Sequence, residues 1–149
     1  MKKTTIIIWI LVLMFFIFTS LFGGNDQAAV EKVIKNAYFN GAFNDLDTQA
    51  MEKGFHPEFA IFSAKGNELA KYPIATWIKG IEKKKNNPDF DSKKAVMDGK
   101  IVTLDVTGGC ASAKVELRKK GTLIYTDYLS LLKFDDGWKI VAKVYHRHK

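Results

Sequence analysis

The sequence predicts an α+β fold, with helices early and antiparallel strands late, on three observations. Residues 26–43 carry apolar groups at helical spacing, and the chain from Lys93 onward alternates with period two. No repeat, linker or low-complexity run divides the 149 residues, a length that suits one domain with a real core and is too short for two. Helices grouped ahead of strands imply one sheet covered by helices rather than a series of βαβ units.

Residues 1–24 are set apart as a targeting segment, which leaves 25–149 as the domain. Lys2 and Lys3 form a short basic start, and residues 6–22 then run without a charge. This is the pattern of an export signal. The run fits the apolar core of a cleavable signal peptide, but "TSLFGG" offers Leu21 or Phe22 where a cleavage site needs a small residue. As a span it sits near the lower limit of the ~20 residues that cross a bilayer as a transmembrane helix. Both outcomes stay open at this point. The domain is therefore expected outside the cytoplasm, periplasmic or secreted, or anchored to the membrane by residues 6–22 if these are retained.

Within the domain, Asn25 or Asp26 caps a first helix running to about Phe43, with Val30, Val33, Ile34, Ala37, Tyr38 and Gly41 on its apolar stripe. "GAFND" interrupts it, and Asp45 or Asp47 caps a shorter helix ending near Gly54. Residues 58–64 and 68–72 read as two strands about a turn at Lys65, Gly66 and Asn67. Pro73 suits the start of a third helix, "IATWIKGIEKKK", whose inward stripe is Ile74, Trp77, Ile78 and Ile81. Then "KAVMDGKIVTLDVTG" is one kinked strand or a hairpin at Asp98 and Gly99. "CASAKVELRKK" places Ala111, Ala113, Val115 and Leu117 on one face.

"TDYLSLLKFDDGWKIVAKVYH", residues 126–146, reads as two more strands joined at Asp135, Asp136 and Gly137. On the first of them, Tyr125, Asp127, Leu129 and Leu131 share one face, and Thr126, Tyr128, Ser130 and Leu132 share the other. Both faces are largely apolar, so both are expected to be covered.

The chain carries a formal charge of +7, two of it from Lys2 and Lys3. Its basic groups are scattered, apart from "EKKK" at 82–85 and the "HRHK" end, and neither is interleaved with aromatics as nucleic-acid binding requires. No nucleic-acid partner is expected. Cys110 is the only cysteine, which excludes an internal disulfide, and no neighbour there activates a thiol. His146 and His148 form an i, i+2 pair with no third ligand in view, so no metal site is expected. Walker, dinucleotide-glycine and G-x-S-x-G patterns are lacking, and no cofactor is expected.

"YFNGAFNDLDTQAMEKGFHPEFAIF", residues 38–62, together with residues 126–146, resembles the nuclear transport factor 2-like superfamily, of cystatin-like fold. Within it the sequence is most similar to the family called putative lumazine-binding. The "DYLSLLK" strand, acidic-glycine turn and "WKIVAK" carry the resemblance more specifically than the first segment, and the likeness covers nearly all of residues 26–146. It implies three N-terminal helices packed on a strongly curved antiparallel sheet forming a cone, with a pocket inside and a homodimer made through the outer sheet face. It also implies that an Asp, His or Tyr in the cone carries any chemistry, since relatives include isomerases, dehydratases and hydrolases.

The catalytic candidates here are Asp127, His56 and Tyr38, and the candidate pocket residues are Tyr38, His56, Tyr72, Trp77, Asp127 and Lys143. Asp127 lies mid-strand among apolar groups, where a buried carboxylate either becomes a base or pairs with Lys133, Lys143 or Arg118. The ion pair is the expected outcome. His56, in "GFHPEF", is a proton shuttle if at the cone mouth, and otherwise a turn-fixing residue. Trp77 and Trp138 are expected in the core. The leading expectation is an exported domain binding a small apolar or aromatic molecule. The alternatives are an enzyme doing proton transfer in the same pocket and a membrane-anchored, non-catalytic interaction module.

Overall fold

The structure, a computed structural model, describes residues 26–149, so the targeting segment expected at 1–24 lies outside the described residues. Helix α1 is α-helical over residues 26–33 and π-helical over Ile34–Asn44, where Asp45 N–H donates to Asn40 O at 2.8 Å. The i+5 bonding aligns residues five apart. It therefore buries Phe39 beside Ile34 and Ala42 beside Ala37, a wider face than the 3.6-residue stripe predicts. Helix α2, Thr48–Gly54, is capped by Asp47, whose carboxylate accepts from the N–H groups of Gln49 and Ala50 at 3.0 and 3.1 Å.

Strands β1 (Phe55–Lys65) and β2 (Glu68–Pro73) form the early hairpin, turning at Gly66 with φ of 63°. Helix α3 covers Ile74–Lys85, with Ile74 and Ile81 buried and Trp77 half-buried. A short helix α4, Ser92–Ala95, precedes β3 (Asp98–Thr107), β4 (Cys110–Lys119), β5 (Thr122–Phe134) and β6 (Gly137–Arg147). Asp98 and Gly99 begin β3 rather than turning a hairpin. Gly99 is there for space: a Cβ would lie 2.4 Å from the Phe39 ring.

The six strands make one sheet in the order β2-β1-β6-β5-β4-β3. Every pairing is antiparallel except β1 with β6, which is parallel, so the expectation of an all-antiparallel sheet is corrected at that seam. β1 meets β6 only after the long passage through β2–β5, and no hairpin fixes its direction. The α+β class stands, with α1, α2 and α3 packed on one face of a curved, unclosed sheet. The core between them includes Tyr38, Met51, Phe55, Phe59, Leu129 and Ile140. On β4 the inward residues are Ala111, Ala113, Val115 and Leu117, as alternation predicts.

Bulges bend the sheet, and one of them decides the site. β5 and β6 pair Ser130 with Ala142 but Leu131 with Ile140, which leaves Val141 as an extra residue on β6. Strict alternation from Trp138 and Ile140 would turn Lys143 outward. The extra residue turns it inward, opposite Leu129, with Tyr145 opposite Asp127.

Candidate functional site

Three polar side chains meet inside the sheet: Tyr38 from the π-helical part of α1, Asp127 from the middle of β5 and Lys143 from β6. Tyr38 donates a hydrogen bond to Asp127 Oδ2, and Lys143 Nζ donates to Tyr38 Oη at 2.7 Å. Lys143 Nζ also stands 3.4 Å from Asp127 Oδ1, an atom with no hydrogen-bond partner among the described residues. Asp127 is fully buried and Lys143 only 6% exposed. The other cations considered for Asp127 are engaged elsewhere: Lys133 pairs with Asp26 at 2.7 Å and Arg118 with Glu116 at 2.9 Å.

The electrostatics follow from burial. Asp127 is pushed above the usual carboxylate range by desolvation, opposed by the Lys143 charge and by the hydrogen bond from Tyr38. Lys143 is pushed below the usual ammonium range by the same desolvation, opposed by Asp127. Tyr38 is driven well above its ordinary value, first by burial and then by the Asp127 charge. The acid and the amine thus approach each other in proton affinity, with a neutral phenol held between them.

Above this triad lies a cavity of about 500 Å³, lined by Phe43, Ile61, Tyr72, Trp77, Tyr125 and Tyr145, with Lys143 in its wall and Lys71 also on its lining. Lys143 Nζ sits 5.1, 5.5 and 5.2 Å from the ring centroids of Tyr38, Trp77 and Tyr145. Lys143 meets Tyr38 through the hydroxyl, and the rings of Trp77 and Tyr145 are close enough to stabilise the cation in place of water. Behind them, Tyr38, Phe55 and Trp77 pack edge-on or tilted against one another, with centroids 5.6 to 6.4 Å apart.

The structure brings Tyr38, Asp127 and Lys143 together and sets Tyr72 and Trp77 on the cavity lining. Trp138 is core, and its indole N–H donates to Asp26 at 3.2 Å. Trp77 packs on the core while facing the cavity, so it is core and lining at once. His56 stands apart. It lines a separate groove with Glu52, Pro57 and Ile78, its ring stacks on Phe134 at 4.9 Å, and Nδ1 accepts from Glu58 N–H at 3.2 Å. At the chain end, His148 Nε2 lies 2.9 Å from Thr126 Oγ1 and its ring meets His146 edge-on.

The sequence profile of the family described as putative lumazine-binding matches residues 25–146, most of the domain. The chain belongs to this family. Relatives of the putative lumazine-binding domain include an aldolase, FrzH, of a Cladobotryum species, 26% identical over 119 residues that make up 79% of this chain and 90% of that protein. Among solved structures, a nuclear transport factor 2-like protein of unknown function from Methylobacillus flagellatus superposes with a TM-score of 0.63 at 29% identity, covering 84% of this chain and 94% of that one. One of the same description from Shewanella baltica gives 0.62 at 26% identity, covering 82% and 93%. These likenesses place the chain in the nuclear transport factor 2-like superfamily.

In this family member, Tyr125 and Tyr145 join the site without having been singled out in the sequence. Their signal is positional: each lies two residues along a strand from Asp127 or Lys143 and so shares its face. Phe43 and Ile61 carried no such signal, because the π-helical turn and the parallel β1–β6 seam place them.

Proposed function

We propose that this domain binds a small, largely aromatic or apolar molecule that presents a carbonyl-type oxygen to Lys143. The observation that carries the reading is a buried ammonium at the wall of a cavity otherwise lined mainly by rings and aliphatic groups. A volume of about 500 Å³ is in the range of sites for single small molecules, which pair apolar walls with a few fixed polar groups. The description of the family as lumazine-binding supports a small ligand as a class. The triad is close to neutral as a whole, because Asp127 sits behind Lys143. It therefore suits a neutral dipole better than a full anion, whose charge would face the carboxylate.

Titration of the protein with naphthalene-2-carboxamide, followed by tryptophan fluorescence, tests this reading. Saturable quenching is expected, weakened about tenfold or more, at least 1.4 kcal/mol, in Lys143→Met or Trp77→Ala. Unchanged spectra at millimolar amide would end it.

The likeness to an aldolase favours a second reading, an enzyme acting on carbonyl compounds in the same cavity. Asp127 and Tyr38 are both buried off the cavity lining, so any proton Asp127 moves reaches the cavity through Lys143, directly or by way of Tyr38. We further infer a homodimer through the outer sheet face and a place outside the cytoplasm or at the membrane. The exposed Tyr128 and Val144 support the first inference, and the apolar run at 6–22 supports the second.

A further inference from the structure

We propose that Lys143 is a nucleophile that forms a Schiff base with aldehydes or ketones entering the cavity, with Asp127 and Tyr38 managing its proton. The inference rests on the binding reading above and adds a covalent step to it. Three features of the geometry support it. The amine reaches the cavity yet is almost wholly withdrawn from water, between the rings of Trp77 and Tyr145. Its proton has a destination, since Asp127 Oδ1 is 3.4 Å away and carries no other hydrogen bond among the described residues. Tyr38 bonds both partners, so a proton can also move by way of its hydroxyl. Burial supports the same outcome by favouring the uncharged forms of acid and amine.

The step balances without any further reagent. The Lys143 ammonium passes one proton to Asp127, leaving a neutral amine and a neutral acid. The amine lone pair forms a C–N bond to the carbonyl carbon, and the carbonyl π electrons move to oxygen, which gathers a proton. That first proton comes from the nitrogen and gives a carbinolamine. The hydroxyl then takes a second proton, passed on from the Asp127 acid, the C–O bond breaks, and water leaves as the C=N bond forms. The last nitrogen proton returns to Asp127. One carbonyl compound and one amine become one imine and one water. When the imine takes a proton, Asp127 is its counter-ion. Lys71 shares the cavity lining but is exposed to water and, among the described residues, has no buried carboxylate behind it, so it lacks this arrangement.

Reductive trapping decides the matter. The full chain is treated with one equivalent of 2-naphthaldehyde and sodium cyanoborohydride at neutral pH, and the adduct is located by peptide mass spectrometry. Lys143 is expected to be labelled at least about tenfold faster than any other lysine, because a desolvated amine next to a base is the activated one. Tyr38→Phe should slow labelling at Lys143 on the order of 10²-fold, the usual contribution of a positioned proton-transfer group, and should change the pH profile of the labelling. Should that variant fail to fold, the wild-type map decides alone. Labels spread over surface lysines with Lys143 unmodified, while the amide still binds, overturn the covalent step and leave the binding reading standing. Failure of both aldehyde and amide overturns both.

Discussion

The phenol of Tyr38 accepts a hydrogen bond from Lys143 at 2.7 Å and returns its own proton toward Asp127, so one hydroxyl on a helix fixes an ion pair spanning two strands. Removing the negative member should expose what that arrangement contributes. Asp127→Asn leaves a buried ammonium uncompensated and should cost roughly 3–5 kcal/mol at pH 7. The loss should shrink as pH rises. Lys143 has a depressed folded-state pKa, so its contribution is present above the ordinary value of 10.5 and is lost as pH falls through the folded one. Without Asp127 the folded value drops further, and the variant recovers on wild type as the medium becomes alkaline. Thermal melts at pH 7 and pH 9.5 check this. A variant midpoint above wild type at pH 7 would refute the ion pair.

Tyr38→Phe removes the central hydroxyl and should cost about 1–3 kcal/mol, since it leaves buried groups short of a partner. Its pH dependence has the opposite sign. The folded-state pKa of Tyr38 is raised, so its contribution is complete below the ordinary value of 10.0 and is lost as pH rises through the folded one. Wild type should therefore lose stability above pH 10 more steeply than the variant. Tyrosinate absorbance, read as wild type minus variant, should appear only with the loss of near-ultraviolet circular dichroism. Ionisation of Tyr38 in the folded state would contradict its burial.

How far the sequence discloses this site depends on the range of each interaction. Alternation identifies the inward face of β4 and puts Tyr125 beside Asp127, because both are local consequences of the pleat. The Asp47 cap is legible for the same reason. Lys143 is harder: the extra residue Val141 inverts its face, and no residue pattern marks a bulge there. The Tyr38–Asp127 contact joins residues 89 apart, beyond the reach of any periodicity. The local hydrogen bond of His56 is what its "FHP" context allows, whereas its separation from the cavity and its stacking on Phe134 depend on where the β5–β6 hairpin ends. The resemblance to a family named the fold, but it did not locate the parallel seam that brings Ile61 opposite Lys143.

Gly54 lies where α2 ends against α1, and a Cβ there would sit 2.2 Å from Ala37 Cβ. Gly54→Ala should cost about 1–3 kcal/mol as overpacking of a closed contact. Ala37→Gly should recover part of that loss despite its own helix penalty of about 1 kcal/mol, because it empties the clashing position. Denaturant melts of the two single variants and the double variant give the coupling. Simple additivity would mean that the two residues do not oppose each other.

The outer face of the sheet presents Phe62, Val144 and Tyr128 in one row across β1, β6 and β5, with Val144 and Tyr128 half-exposed at 50% and 51%. The adjoining row is Ala142, Ser130 and Ser112, whose small side chains leave the surface low enough for a second sheet to approach. Both sides of a two-fold contact are the same patch, so an apolar row beside a small-residue row can be covered by its own copy. The expected state of residues 25–149 is therefore a dimer at micromolar concentration, read by light scattering as twice the chain mass. Tyr128→Lys with Val144→Lys should return it to the monomer, because charges placed directly opposite each other repel within the face and resist burial against a second one. Neither residue lines the cavity, so saturation with naphthalene-2-carboxamide should survive the double substitution. A wild-type monomer, or a double variant that remains a dimer, would remove the outer face from the interface.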